Sequence, residues 1–142
     1  MRRARALVQH RPMNFSLRPR DVIHQQLTSS RTGEVFSQSA VLSELLGLRN
    51  LFIHHDVIAP GHRTSGTHFH TQREEVVYVV KGTLRARIGE REFDAHAGEL
   101  IAFPPGALHA HHVMNVGSED AEVLVFSTNE PNDRVVNENV AI

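Results

Sequence analysis

The chain has 142 residues, 40% of them hydrophobic and 22% charged, with a formal net charge of −1 and no cysteine. That length suits a single domain with its own core. The composition excludes disulfide staples, thiolate metal sites and cysteine nucleophiles, and near-neutrality leaves no global field to recruit nucleic acid. No apolar run reaches the ~18 residues of a membrane span. Only "ALV" follows the first arginines, far short of a signal-peptide core, so a cytoplasmic protein with no membrane partner is expected.

Residues 1–37 show weak periodicity and read as an N-terminal arm, placed to pack on a partner subunit. Six arginines and no acid fall in its first twenty residues, but no recognition helix follows. Residues 38–142 read as one domain. "VLSELLGL" (Val41 to Leu48) has the pattern of one or two helical turns stopped by Gly47.

Beyond it the chain reads as short strands. "NLFIHHDVIAPG" is a strand ended by Ala59-Pro60-Gly61, and "EEVVYVVKG" is a β-branched run that Gly82 punctuates. "TLRARIGEREFDA" sets Leu84, Ala86 and Ile88 against Arg85 and Arg87, the period of a half-buried strand. Gly89-Glu90 fits a two-residue hairpin turn. "GELIAFPPG" adds a strand, and "HAHHVMNVGSEDAEVLVFST" adds two more, hinged on residues 117–120. Short strands at this spacing, with little helix, predict an all-β sandwich or barrel. Phe69, Phe93, Phe103 and Phe126 are expected in the core. Tyr78, out of phase with Glu75, is expected to pack on the opposite face.

The chain holds eleven histidines, clustered at 54–70 and 109–112. In a strand His68 and His70 share a face, and Glu75 returns toward the same interior on the next strand. His109 and His111 likewise share a face, opposite His112. Of the adjacent His54 and His55, at most one looks inward, as wall or interface rather than ligand. Three imidazoles and a carboxylate form a nitrogen–oxygen set for one divalent transition ion per subunit: Fe, Mn, Ni, Zn or Cu.

These residues resemble the motifs of the cupin superfamily, small double-stranded β-helix (jelly-roll) barrels. The family's first motif runs through H-x-H, a glutamate three or four residues on, and a glycine six residues later. His68, His70, Glu75 and Gly82 match it, with the leading Gly61 one residue early. Glu74 fits the histidine spacing but not that of Gly82. In the second motif Gly98, Pro104, Gly106 and His109 match, while the closing Asn115 stands at the required distance from His111.

The resemblance covers about residues 51 to 128. It implies His68, His70, Glu75 and His111 as metal ligands, with His109 as the alternative to His111, and a homodimer. Glu75 is the one catalytic candidate, as a proton shuttle if it leaves the metal. A dioxygenase-, isomerase- or decarboxylase-like enzyme acting on a small polar or anionic molecule follows. The alternatives are a non-catalytic small-ligand sensor and a purely structural barrel. Burying such a cluster without an ion is costly, which disfavours the last.

Overall fold

The computed structural model describes residues 14–138; the first arginines of the expected arm lie outside them. Two antiparallel sheets face each other. Strands β1 (Gln25–Thr28), β2 (Val35–Val41), β3 (Leu51–Ile58), β5 (Glu75–Lys81), β8 (Leu100–Phe103) and β10 (Ala121–Thr128) make the first, in the order β1-β2-β3-β10-β5-β8. The second runs β11-β4-β9-β6-β7, from β4 (His68–His70), β6 (Thr83–Ile88), β7 (Arg91–His96), β9 (His111–Asn115) and β11 (Val135–Asn137). The protein is all-β, a double-stranded β-helix. Part of the segment expected as an arm, residues 25–37, pairs into the edge of the six-stranded sheet.

Between the sheets lies an aliphatic core. Val77 and Val79 of β5 and Val123 and Val125 of β10 meet Leu84 and Ala86 of β6, all nearly or fully buried. Each large side chain removed from water here contributes roughly 1.5–3 kcal/mol. Leu84 and Ala86 do alternate against outward arginines, and Gly89-Glu90 is the two-residue loop between β6 and β7.

The chain changes sheets between β5 and β6 through a single residue, Gly82. Its φ of 94° lies in the left-handed region, and a Cβ there would stand 2.8 Å from the Ala121 Cβ. Both conformation and space therefore require glycine.

A second apolar cluster covers the outside of the six-stranded sheet. Ala40, Leu42 and Ile53 pack with Leu17, Val22 and Leu46. The 41–48 segment makes one helical turn rather than a named helix. Leu46 N–H bonds the Leu42 carbonyl at 3.1 Å, then Gly47 (φ 69°) and Leu48 donate back to Glu44 and Ser43 at 3.1 and 2.9 Å. That is a Schellman ending, with Gly47 in its usual place.

Strand β3 is buried on both faces for this reason. Its pairing sets His54 opposite Val125 and Asp56 opposite Val123, so Phe52, His54, Asp56 and Ile58 face the interior. Ile53, His55 and Val57 face the outer cluster, where His55 meets His24 at 2.7 Å between ring nitrogens.

Two aromatic expectations fail. Tyr78 faces outward but is 37% exposed, because nothing among the described residues covers β5 there. Phe93 shares the face of Ala86, yet β7 is an edge strand and leaves it 41% exposed. No helix among the described residues is long and apolar enough to cross a membrane.

Candidate metal centre

Four side chains converge at one end of the space between the sheets. His68 and His70 project from β4, and His111 from β9, where it pairs with His68. Glu75 opens β5 on the facing sheet. The ring centroids of His68 lie 5.1 Å from those of His70 and 4.7 Å from His111. Glu75 Oε2 stands 3.8 Å from His70 Nε2, and Oε1 stands 3.7 Å from His111 Nε2.

Each imidazole is tied down by its other nitrogen. His68 Nδ1 donates to the Gly66 carbonyl at 2.9 Å, His70 Nδ1 to Asp133 Oδ2 at 2.7 Å, and His111 Nδ1 to the His109 carbonyl at 2.9 Å. Because carbonyls and a carboxylate only accept, the proton of each neutral ring sits on Nδ1 and the Nε2 lone pair is left over. This is the outer-shell pattern that orients metal-ligating histidines.

Phe103 stacks on the His111 ring with centroids 3.8 Å apart and 3° between planes, fixing its angle. His111 Nε2 is fully buried without a partner, an expensive state for a ring nitrogen that nothing else satisfies.

Burial opposes ionisation of Glu75, but the neighbouring His111, His70 and His54 hold its carboxyl below the ordinary range. At 3.7 Å the His111 contact is an ion-pair separation rather than a hydrogen bond. Burial, aided by the charge His111 and His70 carry when protonated, lowers the His68 pKa despite the Gly66 carbonyl. The neutral, lone-pair form of that ring is therefore favoured.

Among the described residues no three such groups close to the spacing of a filled metal site. Neighbouring ligands each held at ~2.1 Å would sit about 3.0 Å apart in an octahedron, closer than the 3.7 and 3.8 Å between the Glu75 oxygens and the His111 and His70 nitrogens. The donor set and the orphaned His111 nitrogen fit a divalent ion nonetheless.

His109 is placed elsewhere. Strand β9 begins only at His111, and His109 ends a 3-10 turn (Ala107–His109), its ring bonded to the Pro105 carbonyl at 3.0 Å. Strand parity between the two therefore does not apply. Asn115 closes the β9–β10 turn. Its amide donates to the Ile58 and Glu119 carbonyls and its oxygen accepts from Gly117, all at 2.8 Å.

Sequence reasoning missed Asp133. It lies just before β11, far from the motifs in the chain, and reaches the site because β11 pairs with β4.

Two cavities approach the cluster. One of about 450 Å³ reaches His68, with Ser29, Arg31, Arg63, Thr67 and Asn137 beside Phe36, Val135 and Glu138 in its walls. One of about 340 Å³ touches Glu75 and Ser127 where β5 and β10 pair, but Leu51, Val76, Ala102 and Phe126 in its walls belong to the outer face of the sheet.

A two-sheet β-helix with inward histidines and a glutamate at one end is the architecture of a cupin barrel. The cupin domain family model (Cupin_2) matches residues 54–127, and the chain belongs to that family. It is 28% identical over 108 residues to a protein described as polyketide synthase CurC of Streptomyces cyaneus, covering 76% of this chain and 68% of the relative.

Among solved structures it resembles a candidate sugar phosphate isomerase from Acidithiobacillus ferrooxidans. That match has 29% identity, a TM-score of 0.71, and coverage of 80% of this chain and 71% of the other. A candidate oxalate decarboxylase from Thermotoga maritima shares the fold at 19% identity and a TM-score of 0.69, with coverage of 81% of this chain and 99% of the other.

Proposed function

We propose that the protein is a metal-dependent enzyme acting on a small polar or anionic molecule, with His68, His70, Glu75 and His111 holding one divalent transition ion. The observation that carries this is the shared orientation of the three imidazoles. Every Nδ1 is occupied by an acceptor, and the buried Nε2 of His111 has no partner. An ion held by these four residues would supply Lewis-acid chemistry at the site.

The protein's own residues do the rest. Asp133 and the Gly66 and His109 carbonyls orient the rings, Phe103 keeps water from one face of His111, and Glu75 is placed to take up or release a proton. Similarity to an isomerase-like protein at 29% identity and the hydroxyl- and arginine-lined cavity beside His68 support a polar substrate. A homodimer is part of the proposal. Tyr78, Val80 and Leu100 leave an apolar outer face on β5 and β8, with Leu100 67% exposed.

Elemental analysis tests the centre. Wild type should carry about one equivalent of metal, and His70→Ala, Glu75→Ala and His111→Ala should lose most of it, with His109→Ala close to wild type. Full metal in the first three variants, or selective loss in His109→Ala, refutes the ligand set.

A further inference from the structure

The six-stranded sheet carries polar groups at the same end of the barrel that the metal-ligand set does not use. Ser127 of β10 pairs in register with Glu75 on one side and Phe52 on the other, so its side chain faces inward beside the Glu75 carboxylate. Ser127 is 4% exposed, and its hydroxyl oxygen is buried with no hydrogen-bond partner. Asn115, equally buried, satisfies its whole amide, so an idle hydroxyl is not a general property of this interior.

One row deeper on β3, His54 faces the same space. Its Nδ1 donates to Asp56 Oδ1 at 2.9 Å, while the other oxygen of Asp56 accepts from the Ser37 hydroxyl at 3.2 Å. Asp56 is 1% exposed and Ser37 fully buried, so the carboxylate is fixed and the His54 ring with it. The proton on Nδ1 is committed to Asp56. His54 Nε2 has no hydrogen bond among the described residues, and the ring keeps 20% of its side-chain surface open.

The charged groups around the ring are Asp56 on its own strand, Glu75 of β5 and Arg73 in the loop before β5. Burial and Arg73 oppose protonation of His54, but Asp56 and then Glu75 outweigh them and raise its pKa. The imidazolium, with Nε2–H as a free donor, is thereby more readily formed than in an ordinary histidine.

We infer that His54 and Ser127 form a hydrogen-bond-donating wall that faces the three histidines and receives an anionic oxygen of the bound small molecule, a carboxylate or an enolate. The inference rests on the metal-centre reading only for what lies across from this wall. Asp56 and Ser37 are positioning residues. Where the reaction moves a proton to the ligand oxygen, the Nε2–H bond of His54 breaks as the O–H bond forms, and the ring becomes neutral with Nδ1–H still held by Asp56. A buried donor pair of this kind costs desolvation when empty and recovers it when an oxygen arrives.

The test uses zinc-loaded protein with ¹⁵N-labelled histidine, titrated with acetate as the carboxylate probe and acetylacetone as the enolate probe. At least one probe should move the His54 ring nitrogen resonances. His54→Gln should weaken that probe about tenfold, equivalent to about 1.4 kcal/mol, and Ser127→Ala about threefold, with both variants retaining zinc. A response to acetate alone assigns a carboxylate, and one to acetylacetone alone an enolate.

Silent His54 resonances at saturation, or unchanged affinity in both zinc-bearing variants, overturn the inference. Wild type without zinc would count against the metal centre instead, and the His54 response is then read in the same titration of metal-free protein.

Discussion

Asp133→Asn changes one atom and should disable the centre from outside it. In the wild type, Asp133 Oδ1 accepts the Gln72 and Arg73 backbone N–H groups at 2.9 and 3.0 Å, and Oδ2 accepts His70 Nδ1–H at 2.7 Å. Asparagine can keep the first two bonds, so the loop survives. Its amide nitrogen then faces His70 Nδ1, and two donors cannot share that gap. The ring answers by moving its proton to Nε2, which removes the lone pair the ion needs.

A charge-assisted hydrogen bond is worth about 1.5–3 kcal/mol, and loss of an outer-shell partner lowers metal affinity roughly 10–100-fold. Competition against a chelator of known zinc affinity measures this directly. An affinity within about twofold of wild type would refute the claim that Asp133 sets the His70 tautomer.

The same carboxylate carries a pH signature. Burial alone would raise its pKa, but the two backbone donors and His70 bring it down from 3.8 to about 2. A depressed folded pKa means the stabilisation is complete above 3.8 and is lost as pH falls toward about 2. The stability gap between wild type and Asp133→Asn should therefore narrow across that interval.

Gly82→Ala should destabilise by roughly 2–4 kcal/mol, from left-handed strain plus the clash with Ala121, read as a lower urea midpoint. Leu84→Ala removes a side chain that is 0% exposed between the sheets and should cost roughly 2–5 kcal/mol in the same assay.

Strand β6 was legible because one of its faces is apolar and the other polar, Leu84 and Ala86 against Arg85 and Arg87. Histidine spacing likewise put His68 and His70 on one face. What alternation could not give was which face of β3 points inward, since both are buried. Parity allowed one of His54 and His55, and only the pairing with β10 selected His54.

Asp133 was invisible for a different reason. Its role arises from a pairing between β4 and β11 that no local pattern announces, and the residue itself sits in an ordinary turn sequence. Because P-x-G is followed here by a 3-10 turn, counting by twos from His111 to His109 crosses out of the strand.

The dependence of His70 on Asp133 has a consequence during synthesis. Strands β4, β5 and β9 leave the ribosome well before the segment that β11 belongs to, so the rings can gather before their last buttress exists. Until residues 133–137 pair along β4, His70 lacks the Asp133 carboxylate that fixes its ring. The proposed centre would be complete only after residues 133–137 dock along β4, and a substitution that obstructs this pairing should leave a folded barrel with weaker metal binding.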